Sequence, residues 1–141
     1  MHYVLADVHN DNKKFSKMLK LIQFSEQDHL YILGDLFDRA SYNPEPLELD
    51  RIKYLMAHAM TSEPQKLQAD DYYLQGGFAE KDYLEHGIEG YISICGHSNK
   101  YHHIWKNQKG NVYLCDCGCG YSDGRLGCLC LETGEEFYIE S

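Results

Sequence analysis

Carboxylate and imidazole side chains follow two short apolar segments near the start of the chain. Asp7 and His9 come after the run Tyr-Val-Leu-Ala, and Asp35 and Asp38 come after Leu-Tyr-Ile-Leu. A hard divalent cation binds carboxylate oxygens together with imidazole nitrogens. Because positions i and i+2 of a strand project from the same face, we expect Asp7 and His9 to converge on one ion. The pattern therefore predicts a metal site.

The second segment could serve a further cation. Two ions about 3.5–4 Å apart that share a carboxylate can activate water and hold both oxygens of an in-line displacement at phosphorus. Asp35 is the candidate for the shared carboxylate. Arg39, which ends the run Gly-Asp-Leu-Phe-Asp-Arg, carries a planar guanidinium suited to a phosphate dianion. Together these residue types predict phosphate ester chemistry.

Buried strands should position both acidic segments, because the apolar runs are short, continuous and free of helical periodicity. Open α/β sheets bind their ligands at the carboxyl ends of strands. Further strands are predicted at residues 54–57 and 91–95. Toward the C-terminus, turn signals at 109–111, 123–124 and 133–134 divide the chain into antiparallel hairpins.

Two helices are predicted between these strands. Apolar residues recur at helical spacing between Asp11 and Gln23, which indicates a helix packed on the sheet. Leu47, Leu49 and Ile52, which follow two prolines, suggest a short second helix.

Three motifs occur in the order found in the calcineurin-like metallophosphoesterases. They are Asp-x-His at 7–9, Gly-Asp-x-x-Asp-Arg at 34–39 and Gly-His at 96–97. The sequence resembles in particular the branch that contains serine/threonine protein phosphatases and bacterial diadenosine tetraphosphatases. The run Tyr-Leu-Met-Ala-His, which ends at His58, resembles the family strand that ends in a metal-binding histidine. The segment from residue 114 onward resembles its closing strands.

This resemblance implies a fold class and a set of metal ligands. The fold would be α/β: a compact layered metallophosphoesterase fold, with β-sheets flanked by helices, shortened in the middle and ending in antiparallel hairpins. It would form one domain over residues 1–141. The ligands that the resemblance implies for the two metals are Asp7, His9 and Asp35 at the first ion, and Asp35, His58 and His97 at the second.

The resemblance also implies two catalytic side chains. Asp38 would orient a histidine or a bound water, and Arg39 would bind the phosphate of the substrate. The divalent cations would be Mn²⁺, with Fe or Zn²⁺ as alternatives. The substrate would be a phosphorylated small molecule, nucleotide or phosphoprotein.

One element of the family is missing from this chain. The resemblance implies a Gly-Asn-His-Glu segment between Arg39 and His58, which would supply an asparagine ligand and a histidine that protonates the leaving group. No asparagine in the sequence is followed by histidine. The predicted function is a phosphoesterase that acts through a dinuclear metal site. The alternatives are a weak or inactive pseudophosphatase that binds metal or phosphate, and an interaction protein.

Several of these residues also have a structural interpretation. Asp7 or Asn10 could cap the helix that follows, and His58 could be a hydrogen-bonded core histidine. The occurrence of three motifs in order, each after an apolar run, favours the metal site.

Composition restricts the partners of this protein. A net charge of −9 over 141 residues argues against general nucleic-acid binding, which depends on Lys and Arg.

No apolar stretch approaches 18 residues, so no membrane span is expected, and the absence of a leader predicts a cytoplasmic location. Loss of the middle of a layered fold should expose apolar surface, which predicts a homo-oligomer.

Six cysteines require a separate interpretation. Cys115, Cys117 and Cys119 alternate, which would place them on one face of a strand as small core residues. Disulfides are not expected in a cytoplasmic protein. Zinc binding is the alternative, although C-x-C is a weaker signal than C-x₂-C.

Overall fold

Two β-sheets pack face to face in the computed structural model, which describes residues 1–34, 45–59 and 81–140, and a helix covers the outer face of each sheet. The α/β prediction is therefore confirmed. In chain order the elements are β1 (His2–Ala6), α1 (Asn12–Leu21), β2 (His29–Leu33), β3 (Glu45–Leu49), β4 (Ile52–Ala57), α2 (Lys81–His86), β5 (Ile92–Cys95), β6 (Trp105–Lys106), β7 (Val112–Leu114), β8 (Leu126–Cys130) and β9 (Glu136–Ile139).

Each sheet has a parallel part that is extended by antiparallel strands. The first sheet has the order β2-β1-β8-β9, in which β1 and β2 are parallel and β8 and β9 are antiparallel to their neighbours. The second has the order β3-β4-β5-β7-β6, in which β4, β5 and β7 are parallel. Both sheets thus present the carboxyl ends of parallel strands, where α/β proteins place ligand sites.

Successive side chains of a strand point to opposite faces of its sheet, and the core is therefore divided into three clusters. In β1, Val4 and Ala6 face the second sheet, whereas Tyr3 and Leu5 face α1. The central cluster, between the sheets, is formed by Val4, Ala6, Leu33, Tyr54, Met56, Ile94, Ile104, Cys115, Cys117, Leu129 and Leu131. A second cluster lies under α1, and a third lies between the second sheet and α2.

Helix α1 lies within the predicted range 11–23, so that prediction is confirmed. Its N-cap is Asp11, whose side chain accepts a hydrogen bond from the Lys14 amide at 2.9 Å, and such a cap is worth about 1 kcal/mol. The capping interpretation of Asp7 and Asn10 is therefore wrong. Met18 is fully buried against the first sheet. None of the helices within the described residues is long and apolar enough to cross a membrane.

The second predicted helix is wrong, because residues 45–49 form the edge strand β3, antiparallel to β4. Leu47 and Leu49 both pack against the central cluster, which is the two-residue period of a strand. Pro46 is compatible with this assignment, since an edge strand tolerates proline.

The C-terminal hairpins are confirmed at two of the three predicted turns. Residues 109–111 connect β6 to β7, and residues 133–134 connect β8 to β9. The turn at 123–124 does not form a hairpin, because β7 and β8 belong to different sheets. The segment 115–125 instead crosses from the second sheet to the first.

All six cysteines are free and buried, as expected for packing residues. They do not share one face of a strand, because β7 ends at Leu114. Cys115 and Cys117 lie in the central cluster, whereas Cys119 packs in the cluster under α1. Burial raises the pKa of the Cys117 thiol to about 12 and that of Cys119 to about 11.

Candidate metal centre

The carboxyl ends of β1, β4 and β5 meet at one edge of the sandwich. Asp7 directly follows β1, His58 directly follows β4, and His97 follows β5 after one glycine. Asp7 is 1% exposed and His58 is 5% exposed. The Asp7 carboxylate and the His58 imidazole are thus brought out of water at this edge, whereas His97 is half-buried and His9 is exposed.

Asp7 is the centre of this group. Its Oδ2 accepts a hydrogen bond from the backbone N–H of His97 at 2.9 Å. Its Oδ1 lies 3.7 Å from Nδ1 of His58 and 3.9 Å from Nε2 of His9. A cation held about 2.0–2.2 Å from both an oxygen and a nitrogen allows the two atoms to be up to roughly 4.2 Å apart. The Asp7–His9 distance therefore matches two atoms that can share an ion, whereas Nδ1 of His58 also faces the carbonyl oxygen of Leu33.

His58 is oriented by a strand of the opposite sheet, β2. Its Nδ1 lies 3.2 Å from the carbonyl oxygen of Leu33, and because a carbonyl only accepts, Nδ1 donates. The lone pair of the ring then resides on Nε2. Histidine ligands to metals commonly donate their other ring N–H to a carbonyl in this way. The His97 ring packs edge-on to that of His58, with 4.9 Å between centroids.

The backbone at these residues is unusual. Asp7, His9 and His97 have φ values of 51°, 50° and 59°, in the left-handed region that non-glycine residues rarely occupy. Asp7 and His9 are thus not successive residues on one strand face, and the predicted reason for their proximity is wrong. The chain leaves β1 at Ala6 and turns, and the turn brings His9 to Asp7. Such conformations cost about 1–3 kcal/mol each and concentrate at functional sites.

Glycines make room for the buried side chains. A Cβ at Gly34, whose φ is +81°, would overlap the His58 ring, and a Cβ at Gly96 would overlap Oδ2 of Asp7. A Cβ at Gly120 would lie 3.1 Å from the His9 ring. The Gly-Asp and Gly-His motifs therefore have a steric reason for their glycines.

Asp116 is a further acidic residue of this site that the sequence interpretation missed. It is 6% exposed, and its Oδ1 accepts a hydrogen bond from the Gly118 amide at 2.8 Å. Burial raises the pKa of Asp116, while the Gly118 hydrogen bond lowers it. The side chains that also lower this pKa by their electrostatic interaction are His9, His97 and His58.

A signal for Asp116 was present in the sequence. It follows the apolar run that contains β7, just as Asp7 follows β1. Asp116 was overlooked because Cys115, Cys117 and Cys119 were assumed to alternate along a continuing strand.

Four of the predicted site residues are brought together, namely Asp7, His9, His58 and His97. Asp35, Asp38 and Arg39 lie outside the described residues. Within the described ranges, no group of three or more His, Cys, Asp and Glu side chains has the geometry of a complete ion site. The donor types nevertheless fit a hard or borderline divalent cation, which binds carboxylate and imidazole.

The layered α/β architecture resembles that of a solved structure. The chain is similar to a solved structure described as a novel archaeal phosphodiesterase, with 12% sequence identity, a TM-score of 0.55 and 99% of each chain covered. At this identity the likeness concerns the fold. No protein-family model matches the sequence, and no curated protein matches it either.

Proposed function

We propose that this protein is a metal-dependent phosphoesterase of the calcineurin-like metallophosphoesterase type, acting through two divalent cations such as Mn²⁺. The observation that carries the proposal is the buried Asp7 carboxylate, grouped with three histidines at the carboxyl ends of parallel strands. The fold supports it, since a protein of similar architecture is described as a phosphodiesterase.

Each side chain of the group has a role in this proposal. Asp7 and His9 would hold one cation, and His58 and His97 would hold the other. The resemblance implies Asp35 as a ligand to both. When bound, the cations supply Lewis acidity for polarising water and the phosphoryl oxygens.

Other groups of the protein orient the metal ligands and supply charge that balances the cations. The Leu33 carbonyl fixes the tautomer of His58, and the hydrogen bond from the His97 amide holds Asp7 in place. Asp116 adds negative charge beside the histidines, which favours cation binding. Arg39 binds the phosphate of a phosphomonoester, nucleotide or phosphoprotein substrate.

A second candidate is a protein that binds metal or phosphate without turnover. The absence of an Asn-His pair in the sequence favours it, because that pair would supply a ligand and a general acid. A positioned general acid typically contributes about 10²–10⁴-fold to the rate.

The two candidates are separated by metal analysis combined with a series of phosphate esters. We expect purified protein to bind Mn²⁺ and to hydrolyse aryl phosphates, whose leaving groups need little protonation. Alkyl phosphates such as phosphoserine should react far more slowly. The Asp7→Asn variant is the control for contaminating phosphatase. Mn²⁺-loaded protein that hydrolyses no ester would favour the binding protein, and protein that binds neither Mn²⁺ nor phosphate would exclude both.

A further inference from the structure

We propose that this protein has a second ligand site, a preformed cavity that binds a nucleoside phosphate. The cavity has a volume of about 660 Å³, which is in the range of small-molecule sites. It lies between the C-terminal end of α2 and the β6–β7 hairpin. The residues that line it are Lys81, Leu84, Glu85, His86, Lys100, Trp105, Asn107, Gln108 and Lys109. None of them belongs to the candidate metal centre.

The walls of this cavity are fixed by hydrogen bonds. Asn111 Nδ2 donates to the carbonyl oxygen of His86 at 2.9 Å, and Lys109 Nζ donates to the same oxygen at 3.4 Å. Asn107 is 5% exposed, and its Oδ1 accepts from the amides of Asn111 and Val112 at 3.0 and 3.1 Å. The hairpin is thereby joined to the last turn of α2. A ligand would meet a cavity that needs little ordering.

The charge of the lining indicates an anionic ligand. Three lysines line the cavity against one glutamate, although the chain as a whole carries a net charge of −9. Lys81 Nζ lies 3.7 Å from Glu85 Oε1. The other two lysines of the lining, Lys100 and Lys109, are not part of this ion pair. Ammonium groups on flexible stems are common partners of phosphate.

Trp105 indicates that the ligand also carries a flat ring. Its side chain packs partly on the third core cluster, and Lys100 Nζ lies 5.0 Å from its ring centroid. The ring is half-buried. A base can stack on the indole face that Lys100 covers once Lys100 turns from the ring to a phosphate of the same ligand. A ring and a phosphate on one small molecule describe a nucleoside phosphate.

Fluorescence of Trp105 tests the proposal directly, because the chain contains a single tryptophan. The full chain is titrated with ADP, with adenosine and with inorganic phosphate, in EDTA and again with Mn²⁺. We expect saturable quenching by ADP at similar concentrations under both conditions, and weaker binding of adenosine and phosphate. A response to ADP that requires Mn²⁺ would place the ligand at the metal centre and overturn the proposal.

Substitutions of the lysines locate the binding. The double variant Lys100→Ala/Lys109→Ala should bind labelled ADP at least about tenfold more weakly in equilibrium dialysis, because two charged contacts are lost. The matched control is Lys13→Ala/Lys17→Ala, which removes two exposed lysines from α1. Equal affinity of the two double variants, or phosphate that binds as tightly as ADP, would disprove a nucleoside phosphate site. These measurements do not depend on phosphoesterase activity.

Discussion

The two ends of β1 carry charged groups in opposite environments. At the amino end, the N-terminal ammonium lies 2.8 Å from Asp28, and His2 Nδ1 lies 2.6 Å from Glu132. These groups are at the surface, where ion pairs contribute about 0–1 kcal/mol. At the carboxyl end, Asp7 and Asp116 are buried.

The acidity of the carboxyl groups differs in the same way. The pKa of Asp28 is lowered to about 2 by its hydrogen bond from the N-terminus, whereas burial raises the pKa of Asp116. The exposed end therefore favours charged carboxylates, and the buried end opposes them. Burying the Asp7 carboxylate in a left-handed turn costs stability, which agrees with the ligand-binding role that we propose for the carboxyl end of β1.

The largest effect should come from removing the charge of Asp7. Asp7→Asn retains an oxygen that can accept from the His97 amide but provides a poorer ligand to a cation. We expect hydrolysis of an aryl phosphate to fall by at least about 100-fold, since loss of even an outer partner of a metal site costs about 10–100-fold. Bound Mn²⁺ should fall in parallel, as measured by elemental analysis.

The same substitution at the other end of the strand is the control. Asp28→Asn removes the half-buried partner of the N-terminus and should leave both rate and metal content at the level of the parent protein. If Asp7→Asn behaves like Asp28→Asn, the contrast between the two ends does not reflect function.

A matched pair of glycines tests the steric part of the site. Gly34 and Gly90 have φ values of +81° and +82°, but only at Gly34 would a Cβ meet other atoms, those of His58. Both alanine variants should lose about 1–2 kcal/mol from left-handed strain. Gly34→Ala should lose a further 1–3 kcal/mol or so from overpacking, together with Mn²⁺ binding. Urea unfolding measures the loss of stability, and metal titration measures the loss of Mn²⁺ binding. Equal losses of stability in the two variants would mean that the His58 ring moves aside at no cost in free energy.

Asp116 should have a smaller effect on the metal. Asp116→Asn can still accept from the Gly118 amide but removes the negative charge beside His9, His58 and His97. We expect Mn²⁺ affinity to fall about tenfold, at the lower end of the range for partners of metal ligands. Calorimetric titration measures it, and unchanged affinity would make Asp116 a purely structural residue.

The smallest effect should be at the exposed end and should depend on pH. Partial burial raises the pKa of Glu132, but hydrogen bonds from the His2 side chain and backbone outweigh this and lower the pKa to about 2. Since the folded state favours the ionised form, this contribution to stability is complete above the ordinary pKa of 4.5 and is lost as pH falls to about 2.

Glu132→Gln should therefore be less stable than the parent protein at pH 6, and the difference should vanish near pH 2. Urea unfolding across this range measures it, with the exposed Glu89→Gln as the control. A difference that stays constant with pH would mean that packing of Glu132, and not its charge, is responsible.

Much of the fold could be predicted because its strands are apolar runs. Residues 54–57 were predicted as a strand and lie in β4, residues 91–95 were predicted as a strand and 92–95 form β5, and the helix after β1 showed a clear helical period. The prediction of a second helix was wrong because the spacing of Leu47, Leu49 and Ile52 fits both the helical and the strand period in so short a segment. The pairing of β3 with β4, which decides between them, is a tertiary interaction.

The site was predicted by residue type more securely than by geometry. Asp7, His9, His58 and His97 do come together, but Asp7, His9 and His97 do so through left-handed turns that no periodicity encodes. Asp116 was missed because the path of residues 115–125 between the sheets depends on the packing of both. The roles of Asp35, Asp38 and Arg39, the homo-oligomer and the cytoplasmic location stay predictions.

Because every core cluster contains a cysteine, the reactivity of the buried thiols can report how readily each layer of this protein opens. Each of the three core clusters contains at least one cysteine that forms no disulfide: Cys95 beneath α2, Cys115 between the sheets and Cys128 beneath α1. Because burial raises the pKa of Cys128 to about 12 and that of Cys115 well above its usual value, these thiols should react only when their layer opens. The rates at which single-cysteine variants are alkylated would then rank the layers by the free energy of opening.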